Sequence, residues 1–225
     1  GQCILSLQAI FMVDWYFVSK ENLFKDENFK GYFCDEAINA VKNTSPVQVL
    51  ASGPDTNHAN ILQLYFLAIA NAQYSIRITT PYLILNEALL MALKTAAISG
   101  VKVQIILPAK PDHFIVYWGS RSYYEELLDA GVEIYEYSRG FMHAKILIVD
   151  SEILGLGTAN MDLRSFNHNF ELTALVYDDK IVDKASDAFS RDIAFSNRVD
   201  IVEFEKRGLI VCSKESICRL FSPLL

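Results

Sequence analysis

Met142–Asn160 reads MHAKILIVDSEILGLGTAN, and the fold of this chain is decided by how that stretch is read. His143, Lys145 and Asp150 stand as H-x-K-x4-D, and Gly157, Thr158 and Asn160 follow as G-[ST]-x-N. HAKILIV is apolar and β-branched with a polar residue at every second position at its start, which predicts a strand beginning at His143. Side chains two apart on a strand share a face, so His143 and Lys145 project together. An imidazole beside an ammonium suits a shared anion, such as a phosphodiester. Asp150 lies at an odd spacing from His143, on the other face, as a turn residue or a buried ion-pair partner. Asp150-Ser151 reads as a hairpin turn into a second strand, SEILGLGT. That strand returns Thr158 and Asn160 to the side of His143, where a hydroxyl and an amide can donate to phosphoryl oxygens.

Working outward, strands are expected at Pro46–Ala51, Ser75–Thr80, Val101–Leu107, Val132–Tyr137 and Glu171–Tyr177. Helices are expected from Asn57 or His58 to about Ala72, then over Asn86–Ser99 and Phe114–Ala130, the last two closed by Gly100 and Gly131. A further helix follows from about Lys180 to Ser196, then a short strand and a last helix over Ser213–Phe221. Alternating strands and helices predict an α/β fold, a mixed β-sheet flanked by helices on both faces, with the site at the strand ends. At the start, Cys3–Ser19 reads as a helix and Lys20–Asp35 as a polar linker, which divides the chain into residues 1–35 and a catalytic domain over 36–225.

The chain has 225 residues, 52% of them hydrophobic, and a formal charge of −7. That balance suits one generous globular domain and argues against a general nucleic-acid binder, which needs a basic face. Cys3, Cys34, Cys212 and Cys218 show no paired spacing and read as free thiols of a reducing compartment. The sequence has no metal-ligand spacing and no apolar run of the ~18 residues that a membrane-spanning helix needs. His58, His113 and His168 read as solvated loop or cap residues. His113 and Tyr82 follow strand ends and can rim a pocket.

The motif pair resembles that of the phospholipase D superfamily. The blocks LQAIFMVDWYF, ASGPD, ITTPYLILNEALLMALKTAAISGVKVQIILP, DHFIVYWGSRSYYEELLDAGVEIYEY, NMDLRSFNHNFEL and RLFSPLL narrow the resemblance to bacterial cardiolipin synthases of that type. Leu83 and Ile84-Leu85-Asn86 depart from the usual pattern after Pro81-Tyr82. The resemblance implies a phosphoryl transferase with His143, Lys145, Asp150, Asn160 and Glu171 as its catalytic set. Glu171 would hold the second ring nitrogen of His143. Thr158, Tyr82 and His113 would line the substrate site, and neither cofactor nor metal is implied.

That family carries two HKD motifs in one chain behind membrane helices. The sequence therefore reads as the second half of a longer enzyme of the bacterial cell membrane, with residues 1–35 as the tail of the first repeat plus a linker. The implied partners are phosphatidylglycerol, cardiolipin, the first HKD half and a membrane surface. The implied reaction joins two phosphatidylglycerols into cardiolipin plus glycerol through a phosphohistidine. The resemblance more often gives the nucleophile to the first-half His, which leaves His143 as general acid/base; the sequence itself does not assign the two roles. A half carrying one His and one Lys is expected to be inactive alone. The competing readings are a phospholipase D-type hydrolase working as a single-motif dimer, and a degenerate half that scaffolds an active one.

Overall fold

The structure is a computed structural model that describes residues 2–27, 29–33, 45–56, 58–110 and 112–224. The expected boundary at 35/36, Cys34 and the candidate cap Asn57 lie outside the described residues. Strands form at Val47–Ser52 (β1), Ser75–Thr79 (β2), Lys102–Pro108 (β3), Glu133–Tyr137 (β4), Ile146–Val149 (β5), Ile153–Gly157 (β6), Glu171–Val176 (β7) and Ser196–Arg198 (β8). They make one sheet in the order β1-β7-β6-β5-β2-β3-β4-β8. β2, β3 and β4 run parallel, and every other neighbouring pair is antiparallel. The expected mixed sheet is the observed one.

The helices are Cys3–Ser19 (α1), Asn60–Ala70 (α2), Glu87–Ile98 (α3), Phe114–Arg121 (α4), Tyr124–Asp129 (α5), Leu163–Asn167 (α6), Asp179–Ile193 (α7), Ile201–Glu205 (α8) and Leu209–Leu220 (α9). Strand alternation feeds two cores. Along β5, Leu147 and Val149 join the core under α2 and α3, packed with Ile61, Tyr65, Ile69, Leu89 and Leu93. Ile148 points the other way and meets Val182 and Phe189 of α7. Each of these apolar side chains contributes about 1.5–3 kcal/mol by leaving water, so a one-residue slip of β5 would forfeit several at once.

The end signals hold in part. Asn86 caps α3 by accepting from Leu89 N at 2.8 Å, and Gly100 and Gly131 adopt φ of +95° and +94° after their helices. His58 does not cap α2; the capping position is Ala59, with no side-chain bond. The helix expected over Phe114–Ala130 is two helices, α4 and α5. Ser122 Oγ donates to Gly119 O at 2.6 Å and its N–H is shared between Trp118 O and Gly119 O, tightening the turn so that the helix breaks there. The short helices α6 and α8 were not expected, and α9 begins four residues earlier than expected.

The strand expected from His143 begins instead at Ile146. β2 supplies partners only as far as Thr79↔Ile146, and Pro81 beyond it has no N–H to offer a ladder. On the other side Gly157 N still reaches Lys145 O at 3.3 Å. His143 and Lys145 are thus an extended lead-in to β5.

Candidate active site

The topology gathers the expected residues other than Asp150 at one end of the sheet. The C-terminal ends of β1, β2, β3 and β6 and the N-terminal ends of β5 and β7 meet there, by the registers Thr79↔Ile146, Gly157↔Thr173 and Ser52↔Glu171. Ligands of open α/β sheets bind outside such strand ends.

His143 is exposed and Lys145 half-buried. The Lys145 ammonium lies 3.0 Å from Nδ1 and 3.1 Å from Nε2 of His143, and donates to the His143 carbonyl at 2.9 Å. Phe141 lies against the imidazole, with ring centroids 5.6 Å apart. Burial lowers the Lys145 pKa below the ordinary lysine value, against the raising effect of the charges on Glu171, Asp162 and Asp112. One cation thus faces three carboxylates and one imidazole.

Glu171 does not hold His143, as the resemblance implied. Its Oε2 accepts from the Thr158 hydroxyl and its Oε1 from Asn169 Nδ2 at 3.1 Å. Among the described residues, no carboxylate pairs with either ring nitrogen of His143. The cause is local: Thr158 and Glu171 sit beside each other where β6 meets β7, and Leu172 N donates back to Thr158 Oγ1 at 3.0 Å. Thr158 therefore spends its proton on Glu171 and presents no free hydroxyl donor.

Asn160 turns its amide nitrogen to Asp162 Oδ2 at 3.0 Å, and its Oδ1 is buried without a partner. Asp162, 5% exposed, also accepts from Ser165 N at 2.6 Å and so caps α6. Asp162 escaped the sequence reading; the spacing Asp162-x-x-Ser165 before α6 carried a capping signal that could have found it. The loop is tied to the end of β2 through Met161 N to Thr80 Oγ1 at 3.2 Å and Ile84 N to Met161 O at 2.8 Å.

Tyr82 and His113 do meet at the rim, with rings 6.3 Å apart. Between them stands Asp112, also missed, which accepts from the Tyr82 hydroxyl and from His113 N at 2.8 Å. Burial and the bond to Asp112 push the Tyr82 phenol well above its ordinary pKa.

Asp150 is not part of this constellation, and its place with the catalytic set is corrected. It stands at the opposite end of β5, with φ of +53° followed by Ser151 at +57°, the two positive values of a type I′ turn. Its carboxylate accepts from the backbone N–H groups of Gln73, Tyr74 and Ser75 at 2.7–2.8 Å. Of the two readings the turn holds; it forms no ion pair among the described residues. Gly157 is steric in origin: a Cβ there would lie 2.1 Å from Leu172 O and 2.8 Å from Thr173 Cα.

Three comparisons bear on this geometry. Residues 65–193 match the family described as cardiolipin synthase, PLD-like domain. The chain is 44% identical over 225 residues to "Cardiolipin synthase 2" of Bacillus anthracis, covering 100% of this chain and 43% of that one. It is 42% identical to "Cardiolipin synthase" of Geobacillus thermodenitrificans, of which it covers 44%. The chain therefore spans a little under half the length of these curated relatives. Among solved structures, a phosphatidylserine synthase of Haemophilus influenzae aligns with a TM-score of 0.63 at 18% identity, over 88% of this chain and 52% of that one. The phospholipase D family member Nuc of Salmonella typhimurium aligns with a TM-score of 0.57 at 19% identity, over 68% and 99%. At those identities the likeness is one of fold.

Proposed function

This chain belongs to the PLD-like cardiolipin synthase family, and from that premise we propose that it is the second catalytic half of a phosphatidyltransferase that makes cardiolipin. The observation that carries the reading is the Lys145 ammonium 3.0 Å from the His143 ring at the open end of the sheet. An exposed imidazole and a half-buried cation in contact provide a proton carrier beside an anchor for a phosphodiester.

The reaction runs in two displacements. An imidazole nitrogen bonds to the phosphorus of one phosphatidylglycerol and the P–O bond to its terminal glycerol breaks. A second imidazole gives that glycerol its proton. The second imidazole then takes the proton from a headgroup hydroxyl of another phosphatidylglycerol, whose oxygen displaces the first imidazole and yields cardiolipin. Since this chain has one such motif, we assign His143 the proton-carrying role and the nucleophile to the other half of the longer relatives. Lys145 binds phosphoryl oxygens in both steps, and the charges on Glu171, Asp162 and Asp112 partly offset the burial that favours its neutral form. Among the described residues His143 has no acceptor, so the orientation of its ring falls to the paired half or to substrate.

The test is a product assay on the full-length enzyme with phosphatidylglycerol. Cardiolipin plus glycerol is expected, and His143→Ala should lower the rate by about 10²–10⁴-fold. Phosphatidic acid as the main product would make the protein a hydrolase. Unchanged activity in His143→Ala would make this half a scaffold. Purified monomer of the 225 residues alone should give no turnover.

A further inference from the structure

The last long helix, α9, is turned inside out. Its inward face carries Glu215, 2% exposed, which accepts from Arg121 Nε at 3.3 Å and Arg207 Nε at 2.8 Å. Its outward face carries Leu209, Ile210, Ile217 and Leu220, exposed by 86, 75, 57 and 79%. At 100° per residue these four fall within about a third of the helix circumference, and Phe221 extends the same face. A helix of a globular protein normally does the reverse, and apolar side chains gathered in this way mark an interaction surface.

Two observations say what covers it. The face continues to the rim of the candidate active site: Lys214 Nζ stands 5.3 Å over the Trp118 ring, Trp118 and Phe114 rings are 6.0 Å apart, and Phe114 follows His113 directly. Phe114 and Ile115 are themselves exposed. Lys214, at the edge of the face, has no carboxylate partner among the described residues, so the apolar patch is bordered by a free positive charge. Apolar side chains with a flanking lysine, beside a site that takes an anionic lipid, match an anionic bilayer surface. The last of these points rests on the function proposed above.

We propose that the outward face of α9, with Phe114 and Ile115, seats this domain on an anionic phospholipid surface. In that orientation the rim at Tyr82 and His113 faces the bilayer, and a headgroup reaches Lys145 while its acyl chains stay among their neighbours.

The experiment is co-sedimentation of the 225-residue chain with vesicles of phosphatidylcholine alone and of phosphatidylcholine with phosphatidylglycerol. The variant Leu209→Ser/Ile217→Ser/Leu220→Ser changes only exposed side chains, and thermal unfolding checks that it folds like the parent. The parent is expected to sediment with the phosphatidylglycerol vesicles, and the triple variant to bind them about tenfold or more weakly. Lys214→Gln should weaken binding to those vesicles about fivefold and leave the neutral ones unaffected. Failure of the parent to bind vesicles, or equal binding by the triple variant, overturns the proposal. So does a parent that self-associates through this face and binds no lipid, since the occupant is then a second copy. No turnover is needed, so this result stands apart from the product assay: lipid binding without cardiolipin formation sinks only the proposed reaction, and the converse sinks only the docking face.

Discussion

Lys145 carries the strongest conflict in the site, between desolvation that favours its neutral form and three carboxylates that favour its charge. Desolvation wins, so the folded pKa lies below the unfolded one. Between those two values the unfolded chain binds more protons, and stability rises as pH rises through that window. The phosphoryl binding proposed for Lys145 needs the charged form and would be lost over the same window. Activity of the full-length enzyme should therefore fall on the alkaline side at a lower pH than an ordinary lysine would dictate, while the stability of the fold does not fall with it. A kcat/KM profile beside thermal unfolding across that range checks this. Asp162→Asn removes one of the charges supporting the lysine, so the alkaline limb should move to still lower pH; an unmoved limb would show that Lys145 is not the group titrating. His143 and Lys145 were legible in the sequence because their contact depends only on spacing. Asp112 and Asp162 were not, because their relation to Lys145 is made by three loops converging at the end of the sheet. The bonds Glu171 makes instead of one to His143 were hidden for a related reason: Thr158 and Asn169 reach its two oxygens only once β6 and β7 are paired.

The G-[ST]-x-N element is a packing device as much as a chemical one. β6 lies so close to β7 at Gly157 that an added methyl would collide with backbone, and backbone cannot step aside as a side chain can. Gly157→Ala should cost about 1–3 kcal/mol and disturb the Thr158–Glu171 bond, read as a lower Tm together with lost activity. At α9 the buried Glu215 bridges Arg121 and Arg207, which pair on their other sides with Glu136 and Glu125. Glu215→Gln removes the carboxylate the two guanidinium groups share while Glu136 and Glu125 stay paired with them, so the cost should fall at or below about 3 kcal/mol, the lower end for breaking a buried pair. Denaturant unfolding measures it, and a loss below ~1 kcal/mol would mean that the cluster is solvated. Element type was readable where a single period ran unbroken between clear end signals, as in α3. It was misread at Ser122, where one hydroxyl bond interrupts an otherwise helical pattern, and at His143, where a strand pattern runs past the end of its partner.

At the scale of the molecule, the sheet separates its tasks by end. Chemistry-bearing residues meet where β2, β3 and β6 finish, and the opposite end holds the Asp150 hairpin. The α/β alternation made this division foreseeable, but not the strand order, in which β1 crosses to pair with β7 at the far edge. Among the described residues no helix is long and apolar enough to cross a membrane. The all-round apolar α1 nonetheless exposes Phe11, Trp15 and Phe17, and meets the sheet only along one side, as at the Phe17–Phe170 ring contact of 5.6 Å. At the other end a single carboxylate grips three consecutive amides from a segment 75 to 77 positions earlier in the chain. Transferred into deuterated buffer, Gln73, Tyr74 and Ser75 ought to keep their protons far longer than their place near the surface suggests. Asp150→Ala ought to release all three together, a slow clock on the side of the domain away from the candidate site.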